Sequence, residues 1–132
     1  MPNAHFSFET RAFLDTDEVL AQNVNGIHGH ALASWLSRDL RAAGLVTSEV
    51  WAEDHGWDFS VTFNSAAYLC SCSLATDGDP PFEGHVALAK HRSLFERLTG
   101  RNGFATDDAV AGRILDILRR SPDVAKLTAD QA

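Results

Sequence analysis

The sequence predicts an α+β domain in two layers, with a mostly antiparallel sheet of four to five strands and two main helices packed on one face. Three observations predict this class. The segments follow the order strand, helix, a run of strands, then helix; the strand segments alternate apolar and polar residues with period two; and the helical segments carry apolar stripes with period 3.6. The 132 residues contain neither an internal repeat nor a linker, so we expect one domain over residues 1–132.

The first predicted strand covers residues 5–13, where Phe6 and Phe8 alternate with polar residues. Aromatic residues in a period-two pattern are typical of a half-buried strand. Asp15 and Glu18 follow with the spacing of a capping box, which predicts a short helix.

The main predicted helix covers residues 27–43 and ends before Gly44, a residue that favours the positive φ needed after a helix. Its apolar stripe includes Leu32, Leu36 and Leu40. Asp39 interrupts the stripe, and two interpretations stay open: an acid that reaches water beside Trp35 at the rim, or an acid that lines a pocket.

A run of strands follows. Residues 46–54 and 57–63 alternate in polarity, and the His55-Gly56 pair between them predicts a tight hairpin turn. Asn64-Ser65 predicts a second turn into a strand over residues 66–75, and a further strand is expected over residues 86–90.

The C-terminal part contains two more helical signals. Ser93 and Glu96 form a capping box for a short helix closed by Gly100, and the last helix is expected to start near Thr106. Pro122 follows this helix, and we expect the tail after it to be frayed.

The composition limits the class of partner. The chain is 45% hydrophobic and 22% charged, an ordinary globular balance, and 11 Lys and Arg stand against 18 Asp and Glu, for a net charge of −7. Nucleic acid and anionic membranes repel such a chain. The sequence shows no signal peptide or apolar run of membrane-spanning length, which predicts a cytoplasmic protein.

Cysteine and histidine are the residue types that could form a metal or redox site in this chain. Cys70 and Cys72 share one strand face, where two reduced, buried thiols are the expected state; a redox pair or a soft-metal site is the alternative. The histidines are scattered and form no metal motif such as HExxH. The Gly26–Gly29 stretch precedes a helix N-terminus that could hold an anion, but it lacks the P-loop pattern. The sequence therefore predicts no metal, cofactor or catalytic residue.

The segment 51–58 carries the main binding hypothesis. A turn at His55-Gly56 pairs Glu53 with Asp58 and puts Trp51 on the same outward face. Opposed like charges need a compensating partner, and an exposed Trp is typical of an interface. A nearby Arg or Lys and a covering loop are the alternative. The predicted binding residues are Trp51, Glu53, Asp54, His55, Trp57 and Asp58.

The helix ALASWLSRDLRAAG followed by AEDHGW resembles a family of small uncharacterised bacterial proteins. Their shared mark is an acidic pair before a Gly-Trp hairpin, written ED-x-GW. The matching residues are Glu53, Asp54, Gly56 and Trp57, with His55 where an aromatic residue is common. The resemblance covers about a third of the chain and implies no function.

Two function classes follow. The first is a non-enzymatic binding or adaptor-type protein, chaperone- or immunity-like, which recruits a basic protein partner. The second is a small enzyme that uses Asp54 or Glu53 with His55 as acid-base groups. We expect the first class and no enzymatic activity.

The alternation also assigns the two faces of the sheet. The predicted core consists of Phe6, Phe8, Leu32, Leu36, Leu40, Val50, Phe59, Val61, Phe63, Cys70, Cys72, Ile114 and Leu118. A flat outward surface of small residues is expected from Ser60, Thr62, Ser71, Ser73, Ala87 and Ala89. Such a face is either solvated or pairs with a second copy or a basic partner, so a homodimer is one expectation.

Overall fold

The computed structural model describes residues 3–131, which form a seven-stranded antiparallel sheet and four helices, an α+β fold. The class agrees with the prediction, whereas the sheet has more strands than the predicted four to five. In chain order the elements are β1 (Ala4–Thr10), α1 (Asp17–Leu20), α2 (His30–Ala42), β2 (Val46–Thr47), β3 (Trp51–Glu53), β4 (Gly56–Phe63), β5 (Ala66–Ala75), β6 (Phe82–Lys90), α3 (Leu94–Thr99), α4 (Ala109–Arg120) and β7 (Ala125–Gln131).

The strand order is β2-β4-β5-β6-β1-β7, and β3 pairs with β4 beside β2. Strands β4 and β5 are joined at Asn64 and Ser65, which both have positive φ (49° and 66°), as the predicted two-residue hairpin requires. Strand β1 pairs with two strands that are distant in sequence, β6 and β7.

One face of the sheet, called here the inner face, contributes to a single apolar core with α2 and α4. Helix α2 packs on β2, β4 and β5, and α4 packs against α2 and β7. Eleven of the thirteen predicted core residues are buried, while Val50 and Phe63 are half-buried and pack against the core. The opposite side of the sheet is called the outer face.

A β-bulge separates β2 from β3 and corrects the single predicted strand over residues 46–54. The Ser48 N–H donates to the Ser60 carbonyl at 3.0 Å, whereas Trp51 is in register with Asp58. The two residues between Ser48 and Trp51 therefore lie opposite a single residue of β4. After this bulge, the alternate side chains point to the reverse faces of the sheet. For this reason Val46, which an unbroken alternation over residues 46–54 would place on the same face as Val50, is 67% exposed.

The residues after Pro122 are not frayed: they form the edge strand β7, which corrects the expectation of a loose tail. Strand β1 would otherwise leave one edge of backbone N–H and C=O groups without a partner. Side chains reinforce the pairing, because the Ser7 and Thr128 hydroxyls lie 2.6 Å apart and the Lys126 ammonium lies 3.2 Å from the Glu9 carboxylate.

Asp15 caps α2 and not the short helix that follows it. Its carboxylate accepts hydrogen bonds from the backbone N–H groups of Gly29, His30 and Ala31 at 2.7–2.9 Å. The Thr16 hydroxyl caps α1 instead. The anion considered for the N-terminus of α2 is thus supplied by the chain itself. Gly29 (φ 152°) permits the close packing there, since a Cβ would lie 2.6 Å from the Cys72 carbonyl oxygen.

Candidate functional site

The β3–β4 hairpin holds most of the predicted binding residues, in a pairing that differs from the expected one. The turn lies at Asp54 and His55, one residue earlier than predicted, so Glu53 is in register with Gly56 and Trp51 with Asp58. The predicted opposition of Glu53 and Asp58 is therefore wrong. Because the pairing is displaced by two residues, each side chain still lies on the predicted face.

Asp58 is a buried acid on the outer face. It is 2% exposed, and its Oδ1 atom lies 2.7 Å from Nε2 of His55. The other ring nitrogen of His55, Nδ1, lies 3.4 Å from a carboxylate oxygen of Asp54. Burial of a carboxylate is unfavourable unless it is paired, so His55 is the group that compensates Asp58.

The carboxylates change the titration of His55. The hydrogen bond to Asp58 raises the pKa of His55 above its usual range, and the charges of Asp58 and Asp54 act in the same direction against a smaller effect of burial. A doubly protonated ring can donate to both carboxylates, so both contacts favour the charged form of His55.

Trp51 lies at the edge of the same surface. Its side chain is 38% exposed, and its indole N–H donates to the Glu53 carboxylate at 2.8 Å. The hydrogen bond orients the indole while part of the ring remains accessible. Trp51, Glu53, Asp54, His55 and Asp58 thus lie together, and we call these five residues the hairpin patch.

Trp57 does not belong to the patch, which corrects its inclusion among the predicted binding residues. It is 2% exposed, its indole N–H donates to the Ile27 carbonyl at 2.8 Å, and the His30 ring meets it edge-on with centroids 4.9 Å apart. Neighbouring residues of a strand point to opposite faces, so Trp57 enters the core while Asp58 faces outward.

Two asparagines in the loop between α1 and α2, which the sequence patterns do not single out, brace the hairpin. The Asn23 amide donates to the carbonyl oxygens of Glu53 and Gly56 at 2.8 and 3.0 Å, and the Asn25 amide donates to that of Asp54 at 2.7 Å. Asn23 is buried. The spacing of two Asn residues in a loop was the available signal, although their partners are about thirty residues away along the chain.

A cavity lies beside His55. It has a volume of about 390 Å³ and is lined by loop and outer-face residues that include Ser73, Asp77 and His85, but not by Asp54. His55 and Asp54 therefore do not converge on an enclosed space where a substrate could be held between them.

Asp39 lines a different cavity, of about 640 Å³, at the C-terminal ends of α2 and α4. Trp35, Arg113 and Arg120 also line it, and the Asp39 carboxylate lies 3.9 Å from the guanidinium of Arg38. Both interpretations from the sequence hold in part, since Asp39 is at the rim of the buried stripe, with its side chain 41% exposed, and also faces this cavity.

The cysteines and histidines serve the fold at most of their positions. Cys70 and Cys72 are buried on the inner face as predicted, and burial, together with a hydrogen bond to Cys70, raises the pKa of the Cys72 thiol. His28 accepts a hydrogen bond from the Asp15 N–H at 2.9 Å. Within residues 3–131, no three or more His, Cys, Asp or Glu side chains are arranged so that they could hold a metal ion.

Comparisons with protein-family models, with curated proteins and with solved structures found no match to this chain. The ED-x-GW resemblance therefore stays a prediction. Over the part of the chain that the structure describes, no helix is long and apolar enough to cross a membrane.

Proposed function

We propose that this protein is a small, acidic, cytoplasmic binding module without catalytic activity, which docks a basic protein partner on the hairpin patch. The observation that carries the proposal is the 38% exposure of Trp51 beside the Glu53 carboxylate that holds its indole N–H. An oriented, partly exposed Trp is the residue type most enriched among the dominant contacts of interfaces.

The charge of the patch favours a cationic partner. Asp54 is an exposed acid at the tip of the turn, and Glu53 adds a second carboxylate on a chain with a net charge of −7. Opposite charges on a partner would accelerate encounter and fix the orientation of docking, while the Trp51 ring would supply the apolar contact. Chaperone- or immunity-like roles both fit such a module.

The alternative function, an enzyme that uses Asp54 and His55 as acid-base groups, has weaker support. A general base needs a nitrogen that can reach the proton of a substrate. Both ring nitrogens of His55 face carboxylates, and the cavity beside it excludes Asp54. This geometry suits an ion pair that stabilises the turn.

The binding proposal can be tested by NMR titration with a synthetic arginine-rich peptide, using an acidic peptide of equal length as the negative probe. The three Trp indole N–H signals provide an internal comparison, because Trp57 is buried and Trp35 lies on α2. We expect the Trp51 signal to shift on addition of the basic peptide, with saturation. Equal shifts of all three signals, or no saturation, would contradict the proposal.

Variants then separate the patch from general acidity. Trp51→Ala and Glu53→Gln should each weaken peptide binding by about tenfold, the effect of losing one dominant interface contact. Glu49→Gln is the matched control, since Glu49 is an exposed acid on the same edge of the sheet outside the patch. Wild type and these three variants, used as baits for capture from the native host, should retain a basic protein on wild type and Glu49→Gln only.

A further inference from the structure

Within residues 3–131, the helices α2 and α4 contribute to the core on the inner face of the sheet, which leaves the outer face without a core helix. The outward residues of β5 and β6 and Ser60 of β4 are half-buried or exposed, whereas Asp58 of β4 is buried beside His55. Leu69 is 40% exposed there and is surrounded by small side chains that allow close approach of another surface. These outward residues are Ser60, Leu69, Ser71, Ser73, Ala87 and Ala89.

The two ends of this face carry opposite charge. At the end where β6 finishes, a cavity of about 660 Å³ is lined by Leu69 and Ala89 together with a group of cationic and imidazole side chains. These are His91, Arg92 and Arg97, together with Lys90, which shares a face with Leu88 and so belongs to the inner side. At the other end, the β5–β6 connection contains Asp77 and Asp79. Glu83 stands opposite Ala75 on the neighbouring strand, and its carboxylate lies 2.7 Å from Nε2 of His85.

Helix α3 presents a second apolar surface beside the cationic end. Leu94, Phe95 and Leu98 are 66%, 62% and 77% exposed, and none of the six residues of α3 is buried. Ser93 and Glu96 form the predicted capping box, and Gly100 is the C-cap. The exposed side chains therefore lie on a short helix that is capped at both ends. Exposed apolar residues that cluster in this way are typical of interaction sites.

We propose that the occupant of the outer face is a second copy of this chain, packed face to face about a two-fold axis that lies across the strands. This axis stacks β5 on β5 and β6 on β6 with their directions reversed. Each cationic end, with Arg97, then meets the end of the partner copy that carries Asp77 and Glu83. The same operation brings α3 of each copy beside the β5–β6 connection of the other.

The charges distinguish a second copy from an unrelated partner. An acidic partner would be repelled by Glu83 and Asp77, and a basic partner would be repelled by Arg97 and its neighbours. A copy of the same surface, turned by the two-fold axis, matches both ends at once. Isologous pairing of this kind requires a self-complementary surface, and a face with opposite charges at its two ends meets that requirement.

The available area is adequate for a dimer. Strands spaced by ~4.8 Å, with a rise of ~3.4 Å per residue, give the five paired strands β4, β5, β6, β1 and β7 a flat area on the order of 500 Å². Protruding side chains and the apolar side of α3 increase this area towards the ~800 Å² per partner that a stable interface buries. Packing that omitted α3 would fall short of it.

Sedimentation velocity over a range of concentrations tests the dimer. We expect wild type to dimerise and Ala87→Arg, which places a long cation at the centre of the outer face, to be a folded monomer. Ala42→Arg is the matched control, because Ala42 is exposed on α2 at the opposite side of the fold. A wild-type monomer at the highest soluble concentration would overturn the proposal.

A mixing experiment tests the dimer without Ala87→Arg, in case that variant does not fold. Arg97→Glu and Glu83→Arg should each raise the dimer dissociation constant by more than about tenfold, because each places like charges together at both ends. Mixing these two variants restores opposite charges at both ends of a heterodimer, which should form with nearly wild-type affinity. Arg113→Glu, on α4, should leave the dimer unchanged.

Two results would contradict this arrangement: a dimer that survives both charge reversals, or two variants that fail to associate when mixed. In either case the dimer would be built on another surface. The proposal is independent of the basic partner, because the hairpin patch is tested by the peptide titration and the outer face by the oligomeric state.

Discussion

The imidazole of His55 pairs with the carboxylate of Asp58, with Nε2 of the ring 2.7 Å from Oδ1 of an acid that is only 2% exposed. Asp58 lies in β4, and His55 lies in the turn that precedes this strand. The contact between the two side chains, and with it the conformation of the hairpin, therefore depends on the protonation of the His55 ring. The stability of the protein should therefore depend on pH around the titration of His55.

The sign of this dependence follows from the direction of the shift. The folded state raises the pKa of His55 above 6.5, the value of an unperturbed imidazole. Its contribution to the free energy of unfolding is complete below 6.5 and is lost as the pH rises through the folded-state pKa. Because the His55 side chain is 52% exposed, solvent screening keeps the amplitude small.

Urea unfolding from acidic to alkaline pH measures this effect. Wild type should lose stability as pH rises through that window, and His55→Gln should show a flatter profile there. His91→Gln is the control, since His91 is exposed and remote from Asp58. Identical profiles for wild type and His55→Gln would show that the pair contributes nothing to folding.

Asp15→Ala should lower the free energy of unfolding by about 1–2 kcal/mol, because three backbone N–H groups at the N-terminus of α2 lose their acceptor. Chemical denaturation gives this value directly. Asp17→Ala removes an exposed acid from the first turn of α1 and should change stability by less than about 0.5 kcal/mol. Equal losses in the two variants would argue against the cap.

Phe59→Ala should lower the free energy of unfolding by about 3–5 kcal/mol, a large part of the roughly 5–15 kcal/mol that holds a domain of this size together. The Phe59 ring is fully buried in the core. Val24→Ala is a useful comparison, because this side chain is 84% exposed in the loop before α2 and its loss should be nearly neutral. An unchanged thermal midpoint for Phe59→Ala would mean that the inner face is assigned wrongly.

Reductant and chelator should leave the melting temperature unchanged. Cys70 and Cys72 are free thiols in the core, and the raised pKa of Cys72 keeps its thiol protonated and unreactive. An alkylating reagent should accordingly label both cysteines only after unfolding. A drop in the thermal midpoint with dithiothreitol or with EDTA would contradict this prediction.

Period-two patterning predicted the faces of the central strands well. A shift of one residue would move every apolar side chain of a strand to the outer face, so the pattern allows only one assignment. Phe59, Val61, Cys70 and Cys72 are all buried where their alternation placed them. The turn at Asn64 and Ser65 was predicted for a related reason, since few residues tolerate positive φ.

Local patterns failed where a distant partner decided the outcome. The acceptor for the N-terminus of α2 is Asp15, which lies fourteen residues before the first N–H that it binds. Strand β7 has a polar, weakly patterned sequence, and its partner is the far end of the chain. The bulge after Ser48 allows Val50 to pack against the core. A strictly alternating pattern cannot predict such a bulge, because it assumes one residue opposite one along the whole strand.

The position of β1 also has a consequence for synthesis on the ribosome. Its two neighbours, β6 and β7, are both translated after the whole β2–β5 segment, so β1 emerges long before either of its edges can be paired. Until β6 follows, the rings of Phe6 and Phe8 have no sheet to join. The nascent chain therefore carries an early aromatic segment with open backbone edges, a target for chaperones and for aggregation, and the time for which it stays open is set by the rate of translation through the strands between.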